Sequence, residues 1–578
     1  MAKSEIYNAS DYGKDEEKLI NLFNNQLLDS KLYFINCIKP RLDRSYKLYI
    51  ADNSDRKKEI QGWQANVAVP YVQAVVETLK PRIMDARPDF SVIGRTIEDQ
   101  EKAYAVQNLL DYTWEIGNSD ATAEMVVSSS LIYGMGFMQA YWKKDKRTQK
   151  FLSTKDIDNK KYIWKEKTQT FFDAPYAEWI DNYSLWYDWH NTDEDKKEYW
   201  FKRLLLTEEQ IKRKYPMYDK RRMEQALKNQ GDLTDYAQIR TEVKKTHERI
   251  TKGSSGGTSN TSYLNYSVNF SDPKYYSSVI KLYEVFEWLR PIEDSWSVMV
   301  GGVPILKGAA IPNPYDFKES IFVGIPYLKL PGEYEGYGLP MILENPQILL
   351  NTIKNQRIDA ATLNIHKMWV VNPMANVNKE ELVARPFGII YSPDPNGVRE
   401  IQTSDIKPSS YREEELLKGD MRYSSGVDDF SMGVGGSESS ATAVRHLRES
   451  TLERVRLFIN HLGDGYSKIL RFWLSMWRQF GKREIVIRVL GENGEYDFPI
   501  IDKDDLTGEY DLQATVVPSI AGMIDVKKKQ DMDLYQLLVG QPFIDPEKLT
   551  AKVLRDWNWN IQSVSKQEEV NQPEMGMG

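Results

Sequence analysis

Apolar positions recur at three- and four-residue steps through ATAVRHLRESTLERVRLFINHLGDGYSKILRFWLSMWRQF, where Val444, Leu447, Leu452, Val455, Ile459, Leu462, Tyr466, Ile469, Trp473 and Trp477 fall on one side. That period predicts a single helix with one buried face. At 1.5 Å per residue it reaches about 60 Å, enough for a strut across a whole domain. Gly463 and Gly465 lie inside it, and each costs about 1 kcal/mol relative to alanine in a helix interior. A kink is expected there, bending the strut around the core it covers.

Upstream, the pattern alternates between helices and strands. EEKLINLFNNQLLDSKLYFINCIKPRLDRSYKLY carries helical spacing that should stop near Pro40 and restart. In WQANVAVPYVQAVVETLKPRIMDARPDF, Pro70 suits the first turn of a helix and Pro81 disrupts its end. The next helix presents Ala103, Val106, Leu109, Leu110, Thr113 and Trp114 on one side, and another, ATAEMVVSSSLIYGMGF, ends in Gly134 and Gly136 before the strand-like MQAYWK. Residues 150–205 read as short aromatic strands and turns, after which Thr207 and Gln210 form a capping-box pattern at the start of a helix that halts by Pro216. The polar, glycine-rich KGSSGGTSNTS at 252–262 is expected to be a flexible loop. SSVIKLYEVFEWLR and SWSVMVGGVPIL then alternate as antiparallel strands with a tight turn at Gly301 and Gly302. The first 330 residues read as a mixed α+β body.

A second distinctive helix follows. Asn345 suits an N-cap and Pro346 the first helical position, while Ile348, Leu349, Thr352, Ile353, Gln356, Ala360 and Leu363 form a thin seam. The other face carries Asn351, Lys354, Asn355, Arg357 and Asp359, so it should be wet or packed against copies of itself. Short strands in MWVVNP, ELVARPFGIIYSPD and GVREIQ come next, then the helix YREEELLKGDMRY and the loop SSGVDDFSMGVGGSESS.

Composition narrows the classes. A chain of 578 residues with 41% hydrophobic content has ample core, and its 15 Trp and 34 Tyr must fill that core or line contacts between subunits. The single cysteine, Cys37, excludes an internal disulfide and, in an apolar run, is expected to be buried. No apolar signal-like segment follows the N-terminus, and no run approaches the ~18 apolar residues of a membrane span. The expectation is a soluble, intracellularly made protein. The formal net charge of −8 argues against a protein that grips duplex DNA, although DNA can still pass by. The basic clusters KKDKRTQK at 143–150 and KRRMEQALK at 220–228 read as solvated faces.

Two stretches invite a chemical reading. The glycines before the long helix are not spaced as G-x-x-x-x-G-K-[ST], and no lysine follows Gly433, Gly435 or Gly436 to reach a terminal phosphate. A flexible or partner-contacting loop fits better. Asp188, His190, Asp193 and Asp195 lie close enough in sequence to ligate a metal, yet ligands normally converge from more than one segment. Turn chemistry with a partly packed histidine is the expectation, and no metal or cofactor site is assigned.

The order of these parts resembles the portal, or head-to-tail connector, proteins of tailed bacteriophages. The resemblance rests on WQANVAVPYVQAVVETLKPRIMDARP, GYGLPMILENPQILLNTIKNQRIDA, the small strand module, the SSGVDD to GGSESSATA loop and the long helix after it. It implies an α+β ring subunit: a wing at 1–345, a first stem helix at 346–366, a clip at 367–407 and a second stem helix at 408–423. A tunnel loop at 424–440, the long kinked wing helix with return strands at 441–522, a short helical crown at 523–565 and a disordered tail at 566–578 complete it. The implied function is a ring, commonly of twelve copies, at one capsid vertex, through which double-stranded DNA is packaged and ejected. The implied partners are further copies of the chain, terminase, a head–tail adaptor and the major capsid or scaffold protein. A virion component assembled in the host cytoplasm follows, without catalysis or membrane contact, because a separate terminase hydrolyses ATP. Gly426, Asp428, Asp429, Gly433, Gly435, Gly436 and Ser437 would face the DNA, and Lys354 and Arg357 are candidates for lining the channel. A dozen copies carry a charge of about −100, which keeps phosphates from sticking to a passage along which they slide. Two rivals stand beside this reading: a metal-dependent nuclease or NTPase of the packaging apparatus, and a ring-forming scaffold that never contacts DNA.

Overall fold

The computed structural model describes residues 12–53, 56, 62–84, 88–152, 164–229, 283–365, 368–375, 377, 396–401, 409–427 and 441–482, most of 484–515, and residues 532 and 535. The expected loop at 252–262, the middle of the expected clip, and nearly all of the expected crown and tail fall outside these residues.

Helix α1 (Tyr12–Tyr33) does not stop before Pro40. It passes through a π-helical turn at Phe34–Ile38 into α2 (Lys39–Tyr49). Pro40 falls directly after this wide turn, whose extra residue is the local irregularity that lets a helix run on past a proline's missing N–H and bulky ring. Phe34 and Ile38 turn inward there, which leaves Cys37 exposed rather than buried. Helix α3 (Tyr71–Met84) begins just after Pro70, whose carbonyl accepts from Ala74 N at 3.1 Å, and continues three residues past Pro81. Strand β1 (Asp89–Gly94) leads to α4 (Ile97–Ile116), capped by the Thr96 side chain, and then α5 (Ser119–Tyr133). All six residues expected on the inner face of α4 are buried.

The next segment departs from the expected short strands. β2 (Met135–Leu152) and β3 (Trp164–Ile180) form one long antiparallel ribbon, with β-bulge geometry beside Asp145. The polar 143–150 run disguises it, because it lacks the apolar alternation of a half-buried strand. β4 (Leu185–Tyr187), β5 (Trp200–Leu206), β6 (Tyr283–Arg290), β7 (Ser295–Val300), β8 (Val303–Pro304) and β9 (Ala310–Pro312) make a second, antiparallel sheet, with the β7–β8 turn at Gly301 and Gly302 as expected. Against it lie α6 (Glu208–Lys214), opened by the Thr207–Gln210 capping box, and α7 (Lys220–Asn229). β10 (Phe322–Pro326) pairs with the root of β2.

Helix α8 (Leu339–Ile365) starts earlier than expected, and Pro346 lies inside it. Burial of Leu339 and Leu343 on the upstream turns outweighs the ~3 kcal/mol that an interior proline costs. β11 (Trp369–Val371) pairs antiparallel with β12 (Val398–Glu400), and α9 (Ser409–Ser425) returns. Helix α10 (Ala441–Phe480) is unbroken over 40 residues. β13 (Glu484–Val486), β14 (Val489–Leu490), β15 (Tyr496–Asp497) and β16 (Ile500–Asp502) follow as two small antiparallel pairs, and β17 (Tyr510–Thr515) closes on β1.

The main core joins α3, α4, α5, the inner face of α10 and the strands around them. Val455, Ile459, Leu462, Tyr466, Ile469, Trp473 and Trp477 are all buried along α10, as its period predicts, and Trp477 Nε1 donates to Thr113 Oγ1 at 3.0 Å. The glycines do not interrupt the helix. A Cβ on Gly463 would fall 2.6 Å from the Ala514 carbonyl oxygen, and one on Gly465 would fall 2.6 Å from Ile325 Cδ1. They are places of close approach, and packing accounts for them without any break.

Candidate functional site: the paired helices and their strand module

α8 and α9 run antiparallel. Arg357 meets Glu414 in an ion pair, its guanidinium 4.5 Å from the Tyr411 ring centroid, while Leu350 and Met421, a turn or two nearer the body, are both fully buried. Lys418 reaches the other oxygen of Glu414 at 2.7 Å. The Lys418 hydrogen bond and charge, with the Arg357 guanidinium, hold the Glu414 carboxyl below its ordinary range. Arg357 is therefore engaged within its own chain, whereas Lys354, half-buried, makes no ion pair among the described residues. Tyr71 of α3 ties the pair to the body by donating to the Lys418 carbonyl at 3.2 Å.

The amide-rich face of α8 is neither wet nor set against a copy. Gln347, Asn351, Asn355 and Asp359 stand four residues apart and grip the main chain of 65–69, which crosses them extended. Val69 N donates to Asn351 Oδ1 at 2.9 Å, Val67 N to Asn355 Oδ1 at 2.7 Å, and Ala65 N to Asp359 Oδ1 at 2.5 Å. Donors return from Gln347 Nε2 to Val69 O at 2.8 Å and from Asn355 Nδ2 to Val67 O at 2.8 Å. The helix thus substitutes for the edge of a β-sheet. Asn355 is wholly buried, so each of these bonds offsets a desolvation cost that an unpaired amide would leave.

Both helices also expose apolar side chains. Ile348, Leu349 and Ile365 on α8, and Tyr411, Leu416 and Tyr423 on α9, are each about half exposed or more. The strand module continues this surface with Met368, Trp369 and Val370. Exposed apolar side chains in this number on two helices and the module between them are a mark of an interaction surface.

α9 extends through Ser425, two residues past its expected end. Gly426, at φ +72°, closes it as a left-handed cap, with its N–H on the Arg422 carbonyl at 2.9 Å. Asp428, Asp429, Gly433, Gly435, Gly436 and Ser437 lie outside the described residues.

The Asp188 region is a built turn. The Asp188 carboxylate accepts from His190 N at 3.0 Å, Asn191 Nδ2 at 2.7 Å and Glu198 N at 3.2 Å. Burial pushes its pKa up, but the hydrogen bonds from Asn191, Glu198 and His190 outweigh it and hold the group ionised below the usual range. Asp193 caps a short 3₁₀ turn, and Asp195 and Glu194 pair with Lys468 of α10 at 2.5 and 2.8 Å. Among the described residues, no group of three or more His, Cys, Asp or Glu side chains is arranged to hold a metal ion. Sequence reasoning missed Lys197 in this region. Fully buried, it donates to the Asp188 carbonyl at 2.6 Å between the rings of Tyr187 and Tyr334, and burial pushes its pKa down to about 8. The only signal was its place directly after the turn.

Among the described residues, no helix is long and apolar enough to cross a membrane. The family model described as phage P22-like portal protein matches residues 63–575. No curated protein matches the chain.

Proposed function

The chain belongs to the phage P22-like portal protein family, and on that premise we propose that it forms a closed ring at one capsid vertex through which double-stranded DNA enters and leaves. The match across most of the chain carries the reading. The ring, commonly of twelve copies in such proteins, would dock terminase during packaging and then a head–tail adaptor, within the virion. Support comes from the exposed apolar side chains on α8, α9 and the β11–β12 module, which copies arranged around an axis would cover. α8 and α9 serve as stem helices in this reading, the module between them as the clip, and 426–440 as the tunnel loop. The acidic net charge suits a passage that must not hold phosphates. Lys354 is the better of the two candidate channel cations, since Arg357 is committed to Glu414.

The role needs no catalysis; of the two sites the enzyme reading could use, the Asp188 carboxylate is already engaged by hydrogen bonds from His190, Asn191 and Glu198, and the glycine-rich loop lies outside the described residues. Electron microscopy of the purified protein tests the proposal. A ring with a duplex-wide hole is expected; a monomer at micromolar concentration overturns it. Deleting 430–437 should leave rings intact and impair packaging or retention of DNA. Loss of rings with unchanged packaging per surviving ring would move that segment into the subunit interface.

A further inference from the structure

The β2–β3 ribbon outruns the body that supports it. β10 pairs with β2 at residues 135–139, and from Lys143 outward the two strands pair, among the described residues, with each other alone. The root is anchored where Trp142 packs at 5.2 Å centroid separation on Trp477 and donates Nε1 to Asp173 at 3.0 Å. Past this anchor Lys144, Lys146, Arg147 and Thr148, and residues 166–171 opposite, are exposed. The nine residues of β2 from Lys144 to Leu152 extend about 31 Å. A two-stranded ribbon alone in water is marginally stable, which points to a surface that covers it.

Its chemistry specifies the cover. Residues 143–152 and 164–173 hold seven basic and three acidic side chains, a net +4, so the rest of this −8 chain carries −12. One face also stacks cations on rings: the Lys143 ammonium is 3.9 Å from the Tyr176 centroid, and the Arg147 guanidinium is 4.8 Å from that of Phe171. Phe171 is 47% exposed at the irregularity beside Asp145, where it has no cross-strand partner. Six of those seven cations are lysines, which suit any acidic surface; the exposed Phe171 ring beside Arg147 is what favours a protein over a phosphate backbone, because aromatic rings and arginine are enriched at protein interfaces.

We infer that the ribbon is an arm laid across the acidic surface of a second copy of this chain, the neighbour in the ring. The inference rests on the ring reading above. Copies that each carry −8 repel one another, and a basic arm on each is the element that offsets this at the contact.

The test uses the full-length protein and the variant Lys146→Glu with Lys167→Glu, two exposed lysines that make no ion pair among the described residues. Mass photometry across a concentration series, at low and high salt, reads the midpoint of ring dissociation. The variant is expected to raise that midpoint at least tenfold at low salt, less at high salt, with an unchanged melting profile of the dissociated chain. Phe171→Ser should raise it without the salt dependence. Rings of unchanged stability in both variants overturn the arm and leave the ring reading standing. Unchanged rings whose binding to a DNA duplex weakens assign the ribbon to nucleic acid and overturn it too. A wild-type chain that stays monomeric removes the ring reading and the arm's partner together.

Discussion

Gly463 faces Ala514 so closely that a Cβ on the glycine would lie 2.6 Å from the alanine's carbonyl oxygen. The helix and strand β17 therefore meet backbone to backbone. One turn later, Ser467 Oγ donates to the Gly463 carbonyl at 2.8 Å and accepts from Ala514 N at 2.9 Å, stitching the two elements across the gap.

Gly463→Ala should destabilise the protein by about 1–3 kcal/mol, because the overpacking exceeds the ~1 kcal/mol gain in helix propensity. Denaturant titration reads it. A stabilised variant would show that β17 moves aside freely.

Asn355→Leu removes both hydrogen bonds to Val67 from a buried position. A loss of about 2–4 kcal/mol is expected. Hydrogen exchange should speed up at the amides of Ala65, Val67 and Val69 in particular, since the segment would lose its central rung.

Lys197 gives a pH dependence of unusual sign. Its folded pKa of about 8 lies below the ordinary lysine value, so between those two pH values the unfolded chain binds the proton and the native one does not. Stability contributed by this group rises as pH increases from about 8 to 10. Relative to Lys197→Met, the wild type should gain about 2 kcal/mol over that window at roughly 1.4 kcal/mol per pH unit. A constant difference would place the amine in contact with water.

The Arg357–Glu414 pair should show a coupling of about 1–3 kcal/mol in a double-mutant cycle with Met and Gln. Glu414 has a folded pKa below its unfolded one, so its contribution is present at neutral pH and vanishes as the medium acidifies through the folded value. Unfolding midpoints of wild type and Arg357→Met should converge there.

Features that repeat along the chain were legible in sequence. The face of α10, the inner face of α4, the capping box at Thr207 and the turn at Gly301 and Gly302 all follow from local spacing. Contacts between distant segments were not. Nothing in WQANVAV marks it as the segment whose main chain satisfies Asn351 and Asn355, nearly 300 residues away, so those amides read as solvent-facing. Pro346 resembled a helix start because proline is favoured there, and the apolar LPMIL upstream was the overlooked signal. The ribbon escaped notice because an arm exposed on both faces has no reason to alternate. In the candidate site, the two helices and the flanking strands could be read, while the partner of Arg357 could not.

The four side chains of α8 that hold residues 65–69 form a lattice. Sites four residues apart rise about 6.0 Å along a helix axis, and their row slants by about 26°, so their spacing along the row is about 6.7 Å. Every second residue of extended chain recurs at about 6.6 Å. The two repeats are commensurate, so each amide meets an inward peptide group without accumulating error. A slip by one residue would turn every inward N–H away and lose all rungs together; a slip by two would leave an end unmatched. Position along α8 is thus set in whole steps, as teeth set a rack, and the chain leading into α3 can be carried by the helix without a sheet to hold it.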